Sequence, residues 1–280
     1  MNILVTGSNG YIGKSIFNSK IENVKFFHGN RQAINLFDKE SIKSFIKENK
    51  IDSIIHCAIE GGSRLEKDNI NTFYNNILVF ENLYSCKNLL HKVINFASGA
   101  EFDRQNDINL SKEEDIFERV PKDYYGLSKS IISKKSLTAN NFYNLRIFGC
   151  FDENELDRRF IKTCILKSMR NETIIIHEDK IMDFFYMQDL ISVVKYFLFT
   201  SSLHQDVNLS YEIKYKLSEI AEKIIYENNS KSKITIRTQK GLNYNGSFDK
   251  TLHLPISFQY FESGLKKTII NTNKQQILTT

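Results

Sequence analysis

The sequence predicts an α/β fold, a doubly wound parallel sheet with a small C-terminal α/β lobe. Three observations carry this expectation. The apolar run Ile3-Leu4-Val5 leads directly into Thr6-Gly7-Ser8-Asn9-Gly10-Tyr11-Ile12-Gly13. Short apolar runs of strand character then alternate with segments of helical spacing. The chain has 280 residues, enough for one large α/β domain or a main domain with a smaller one leaning on it.

The opening stretch is a strand, a tight glycine turn and the start of a helix running from Tyr11 to Phe17. Gly7 can take the backbone angles of a tight turn, Gly10 lets main chain approach a pyrophosphate, and Gly13 lets the helix pack closely on the strand. Free N–H groups and the positive end of the helix dipole then face phosphates. A dinucleotide is the expected ligand, with an ordinary strand-to-helix turn as the alternative.

The 38 basic and 33 acidic residues are interleaved and leave a net charge of +5. No basic block goes beyond pairs such as Lys266-Lys267, so nucleic acid is not indicated, while the small positive balance suits a polyanionic small molecule. Cys57, Cys86, Cys150 and Cys164 show no C-x-x-C spacing and no signal peptide precedes them, so reduced thiols and a cytoplasmic location are expected. No apolar run approaches the roughly 18 residues of a membrane span, and no metal site is expected.

In chain order, Val24-Lys25-Phe26-Phe27 reads as a second strand, followed by His28-Gly29-Asn30-Arg31. An acidic residue at this point commonly holds the adenosine ribose of NAD. Here Arg31 stands nearby instead, which points to NADP(H) with Arg31 on the 2′-phosphate; NAD(H), with Arg31 a solvated loop residue, is the alternative. Ala33-Ile34-Asn35-Leu36-Phe37-Asp38 reads as a short third strand and 39–49 as a helix. Ser53-Ile54-Ile55-His56-Cys57-Ala58 reads as a fourth, buried strand in which His56 is structural. A helix over 71–90 and the strand Val93-Ile94-Asn95-Phe96-Ala97 continue the alternation, which implies a parallel sheet covered on both faces.

Ser98-Gly99-Ala100 falls at the carboxyl end of that strand, where open α/β sheets place ligands. After an irregular polar segment over 103–122, a helix from 123 to 136 carries Tyr125 and Lys129, four apart and on one face. A phenol of pKa about 10 is a poor acid at neutral pH, and an adjacent ammonium favours the phenolate. The Tyr125 hydroxyl can then exchange a proton with a sugar oxygen while Ser98 holds that oxygen. Tyr124 is a decoy, since Ser128 stands four residues on.

The glycine turn, Ser98 and Tyr125-Gly126-Leu127-Ser128-Lys129 together resemble the extended short-chain dehydrogenase/reductases that act on nucleotide sugars. Weaker likenesses run along nearly the whole chain: Leu36-Phe37-Asp38, Ile55-His56-Cys57-Ala58, Asn76, Leu145-Arg146-Ile147-Phe148, the segment from Asp183 to Leu190, and Phe261-Glu262-Ser263-Gly264-Leu265. The resemblance implies a Rossmann-type domain over 1–150, with 186–204 returning to it, and a substrate lobe from 151–185 and 205–270. It also implies Ser98, Tyr125 and Lys129 as the catalytic triad. Gly7, Gly10, Tyr11, Ile12 and Gly13 would line the pyrophosphate, Asn35 and Leu36 the adenine, Ala58 and Ile59 the ribose, and Phe148 the nicotinamide end. The polar residues 271–280 read as a loose tail.

Departures from the family pattern narrow the activity. Dehydratases place an acidic pair after the catalytic hydroxyl and epimerising reductases a Cys; here Gly99-Ala100 follows. The expectation is an NADPH-dependent reductase of a 4-keto nucleotide-activated deoxysugar, with a 4-epimerase holding NAD, or a non-catalytic nucleotide-binding protein, as alternatives. Met182 stands where relatives often carry a diphosphate-binding Arg, so Arg159 or Lys180 is expected to supply that charge beside Ser98 and Gly99. The helices following 71 and 123 would form a homodimer interface, as in relatives.

Overall fold

In the computed structural model, which describes residues 1–63, 67–202 and 204–279, the first strand already shows how the layers are divided. Ile3 and Val5 enter one apolar core and Leu4, between them, enters another, as the two-residue period of a strand requires. Elements follow as β1 (Asn2–Thr6), α1 (Tyr11–Phe17), β2 (Lys25–Gly29), α2 (Lys39–Glu48), β3 (Ser53–His56), α3 (Ile70–Ser85) and β4 (Lys92–Ser98). Then come β5 (Ile108–Ser111), α4 (Tyr124–Ser136), β6 (Phe142–Ile147), β7 (Cys150–Phe151), α5 (Phe160–Met169), β8 (Ile174–Glu178) and β9 (Phe185–Tyr186). The chain ends with α6 (Met187–Phe199), β10 (Asp206–Leu209), α7 (Leu217–Glu227), β11 (Ile234–Thr238), β12 (Tyr244–Gly246), α8 (Asp249–Leu252) and α9 (Tyr260–Thr279).

Six strands form one parallel sheet in the order β10-β6-β4-β3-β1-β2. Ile16 of α1 and Leu190, Val193 and Phe197 of α6 pack on the face that carries Ile3, Val5, Ile55 and Ile94. Ile42 and Ile46 of α2, Phe80 and Leu83 of α3 and Ile132 of α4 cover the face of Leu4, Ile54 and Val93. This is the Rossmann-type α/β architecture expected, buried on both faces. Paired short strands β8–β11, β5–β12 and β7–β9 and the mutually packed α5, α7 and α9 complete the molecule. Their apolar residues, among them Phe151, Ile165, Ile174, Ile224 and Phe261, share the first core with the sheet.

Three expectations are corrected. The stretch 33–38 is a turn rather than a third strand. Asn30 Oδ1 accepts from Gln32 and Ala33 and Asn35 Oδ1 accepts from Phe37, so asparagine side chains take N–H groups that a strand would pair. Ser53–His56 is therefore the third strand, directly beside β1. The return to the sheet does not stop at 204, because β10 pairs with β6 through Leu209. Finally, 271–279 is helical, not loose. Thr268 and Thr272 are fully buried, Lys162 reaches Thr272 at 3.5 Å, and Asn273 donates to Asn228 at 3.1 Å. The polar face of α9 finds its partners on α5 and α7.

Candidate active site

Strand order runs outward from β1 in both directions, to β2 on one side and to β3, β4, β6 and β10 on the other. The loops after β1 and β3 thus lie on either side of the switch point of the sheet, the place where open α/β sheets bind ligands. Gly7 sits there at φ +62°, and a Cβ on it would lie 2.7 Å from the Ala58 nitrogen. Gly13 closes the helix onto the turn, with a Cβ position only 2.3 Å from the Gly7 carbonyl oxygen. Thr6 Oγ1 accepts from the N–H of Cys57 and of Ala58 at 3.1 and 3.2 Å and lies 2.8 Å from His56 Nδ1. Burial pushes His56 down to about 3, so its ring is neutral and structural, as the sequence suggests.

Gly10 caps α1 with no side-chain bond, and the nearest atom to a Cβ there is the Gly7 oxygen at 3.3 Å. Among the described residues, no side chain comes within 4 Å of that position. Ile12 packs into the first core, while Tyr11 donates its hydroxyl to Asp152 at 2.8 Å. Arg159 lies over the Tyr11 ring at 5.8 Å, which brings that cation to the glycine turn. Arg31 is 90% exposed and lies 3.6 Å from Glu60. Its loop is tied to the turn by Asn30 and Asn9 at 3.5 Å. Leu36 offers its carbonyl to Asn82 at 3.1 Å, and Asn35 is held by Ser41. Ile59 precedes Glu60, whose main chain is gripped by Asn76 from both sides at 2.9 and 3.0 Å.

At the carboxyl end of β4, Ser98 lies close enough to the Tyr125 hydroxyl to favour its ionised form. Asp123 caps α4 by accepting from Gly126 at 2.8 Å, which fixes the helical turn carrying Tyr125. Burial pushes the phenol up to about 12, against the opposing effects of Ser98 and Arg104. Lys129 is 4% exposed and donates to the Phe96 carbonyl at 2.6 Å. Burial lowers its ammonium to about 8. The phenol is thus raised by burial where the sequence led to the expectation of a lowered one, and the buried Lys129 ammonium finds an acceptor inside buried β4.

A family model for the NAD dependent epimerase/dehydratase family matches residues 3–210. The chain belongs to that family. It is 24% identical to the dTDP-4-dehydro-6-deoxyglucose reductase of Escherichia coli over 96% of this chain and 93% of that enzyme. It is 28% identical to the GDP-L-colitose synthase of Yersinia pseudotuberculosis over 118 residues, a match covering 40% of this chain and only 38% of that enzyme. In fold it is similar to a GDP-mannoheptose C4 reductase of Campylobacter jejuni solved with NADP bound, at a TM-score of 0.81 and 17% identity over 98% of each chain. Among the described residues, no helix is long and apolar enough to cross a membrane.

Within this member of the epimerase/dehydratase family, the remaining expected residues are placed unequally. Gly99 lies beneath two rings, with a Cβ position 2.3 Å from Phe148 and 3.0 Å from Tyr244. Phe148 is 6% exposed and enclosed by Gly99, Gly246, Phe102 and Tyr244, leaving little of the ring for a ligand. Lys180 is held in the lobe, 3.4 Å from Glu178 and beside Gly241.

Four residues at the site escaped the sequence reading. Glu101 accepts from the Ser98 N–H at 2.8 Å. Gly62, at φ +78°, packs so closely that a Cβ would lie 2.7 Å from the Tyr125 ring. Arg104 lies over that ring at 5.6 Å, and Tyr244 faces it from β12 and raises its pKa. Only the Gly61-Gly62 pair carried a signal, as a turn.

Proposed function

We propose that this chain reduces the 4-keto group of a nucleotide-activated deoxysugar with NADPH, Tyr125 delivering the proton. The observation that carries the reading is Tyr125 standing close to Ser98 at the end of β4, two strands from the glycine turn. The open space at Gly10 before α1 and the close approach of Gly7 to Ala58 fit a dinucleotide laid across the switch point. Gly7, Gly10, Gly13, Tyr11, Ile12, Ala58 and Ile59 would hold its phosphates and ribose, and exposed Arg31 suits a 2′-phosphate. When bound, the coenzyme supplies hydride to the sugar carbonyl carbon.

The chain's own residues do the rest. Ser98 donates to the sugar oxygen and holds it in place. Tyr125, protonated at neutral pH because burial holds it near about 12, gives its proton to the nascent alkoxide. Lys129 has three N–H groups, one of them on Phe96, and the others suit ribose hydroxyls. Arg159, beside the turn, would meet the substrate diphosphate, with the segments 151–185 and 210–270 forming the sugar side of the crevice. An epimerase must begin by taking a proton from the sugar hydroxyl, and a phenol held this high is almost wholly protonated at neutral pH and offers little phenolate for that step. The likeness to the E. coli reductase along 96% of the chain supports the same direction. Exposed Ile70, Tyr74 and Leu78 form a stripe along α3 beside exposed Tyr124 and Ile131 of α4, which suits a homodimer.

The test is incubation with NADPH and a panel of 4-keto nucleotide sugars, following loss of absorbance at the nicotinamide band. Consumption that Tyr125→Phe abolishes, with NADPH affinity kept, is the expected result. No consumption with any substrate, or NAD that copurifies and does not exchange, overturns the reductase reading.

A further inference from the structure

We propose that the hydrogen bond between Tyr11 and Asp152 couples the two ligand sites, so that a dinucleotide on the glycine turn fixes the segment carrying Arg159 for the substrate diphosphate. The inference deepens the proposed reaction and rests on its reading of the glycine turn as the coenzyme site and of Arg159 as the diphosphate cation. Tyr11 is the first residue of α1, directly after Gly10. Its main chain belongs to the turn, while its hydroxyl donates to Asp152 Oδ1 at 2.8 Å across 141 positions of sequence. Asp152 is buried directly after β7, where the lobe begins. The same Oδ1 accepts from the Asn154 N–H at 2.9 Å, so the start of the segment is folded around this carboxylate. At the far end Arg159 caps α5, and its guanidinium carbon lies 5.8 Å from the centre of the Tyr11 ring. One side chain thus meets the segment at both ends, with its hydroxyl at Asp152 and its ring at Arg159.

The other ties of this segment run within the lobe. Glu155 accepts from the Lys162 N–H at 2.9 Å, and Lys162 Nζ donates to the Glu153 carbonyl at 2.5 Å. Leu156, Asp157, Arg158 and Arg159 are exposed. Among the described residues, the hydrogen bond from Tyr11 is the one that joins the segment to the glycine turn. Burial, with Asp152 and Glu155 nearby, raises the Tyr11 phenol, so its hydroxyl stays protonated and keeps donating at working pH. A pyrophosphate that orders the turn orders Tyr11 with it. The segment then has less freedom left to lose when a diphosphate reaches Arg159, and the second ligand binds at a lower entropic cost. Linkage makes the effect reciprocal, so a diphosphate on Arg159 also tightens the coenzyme.

The experiment combines amide hydrogen exchange and calorimetry on the full chain, with NADPH, dTDP and GDP as probes. Saturating NADPH should slow exchange across 152–159 in the wild type and tighten whichever nucleoside diphosphate binds by about fivefold or more. Tyr11→Phe keeps the ring beside Arg159 and removes the hydroxyl; at saturating NADPH it should lose both effects. Asp152→Ala should lose them too, whereas Asp152→Asn, whose amide oxygen still accepts from a phenol, should keep most of the coupling. Two variants on opposite sides of one bond keep the test open if either folds poorly. Coupling that survives in Tyr11→Phe and Asp152→Ala makes the bond a packing contact and overturns the proposal, as does a wild type in which NADPH changes neither exchange nor affinity. Failure to bind NADPH at all would instead defeat the reading of the glycine turn. Unchanged diphosphate affinity in Arg159→Met would defeat the reading of Arg159, so these failures are told apart from failure of the coupling.

Discussion

Arg146 and Glu101 share two hydrogen bonds, from Nε and Nη2 to Oε2 at 3.1 and 3.0 Å, and neither residue has any exposed surface. The other oxygen of Glu101 accepts from the Ser98 N–H at 2.8 Å and from Ser133 at 3.0 Å. Two further N–H groups of Arg146 go to Asn208 and Asp206, each at 3.0 Å. A fully buried ion pair therefore sets the main chain at Ser98. Arg146→Met would leave Glu101 and Asp206 buried without their cation, an expected loss of about 3–5 kcal/mol in urea unfolding. If the loss is under about 1 kcal/mol, the network is not holding the strand end.

Gly62 is needed at the phenol for two reasons at once, its φ of +78° and the 2.7 Å left between a Cβ and Tyr125. Gly62→Ala should lower kcat more than about tenfold, the equivalent of about 1.4 kcal/mol, while NADPH affinity stays close to wild type. Equal kcat in variant and wild type would show that the ring has room to move.

Gly13 bears on the coenzyme side instead. A methyl group there must push against the Gly7 carbonyl at 2.3 Å, so Gly13→Ala should open the turn and weaken NADPH binding measured by fluorescence titration. Retention of wild-type affinity would contradict the role proposed for the glycine turn.

Glu155 offers a pH test remote from Tyr125. Burial pushes its carboxyl up to about 8, although it accepts from the Lys162 N–H at 2.9 Å. Between the ordinary glutamate value of about 4.3 and the folded value, the native state binds more protons than the unfolded one. Stability therefore falls as pH rises from roughly 4.5 to about 8. Glu155→Gln keeps the acceptor and removes the titration, so its thermal midpoint should exceed that of the wild type at pH 8 and approach it at pH 5. A gap that does not change with pH would place the cause elsewhere.

Much of this was legible before any coordinates because the signals are local. The turn at Gly7, the helix starting at Tyr11 and the shared face of Tyr125 and Lys129 each depend on residues within a few positions of one another. The stretch 33–38 misled because its apolar residues suggest a strand while Asn30 and Asn35 bind the backbone that a strand would need. The polar end of the chain misled in the opposite sense, since Thr272 and Asn273 meet Lys162 of α5 and Asn228 at the end of α7, far away in sequence.

Sequence alone determined the parallel α/β sheet, the glycine turn after its first strand and the helix that carries Tyr125, because period, turn chemistry and strand-end position are written in short stretches. Only the tertiary structure decided which charges face the phenol. Arg146 meets Glu101 across 45 positions, and Tyr244 arrives from β12 onto Gly99 and Phe148. Lys129 donates to Phe96, and Arg104 lies over the Tyr125 ring. The physical reason is burial: once these groups leave water each must find a partner, and the partners available are set by how distant strands and loops pack.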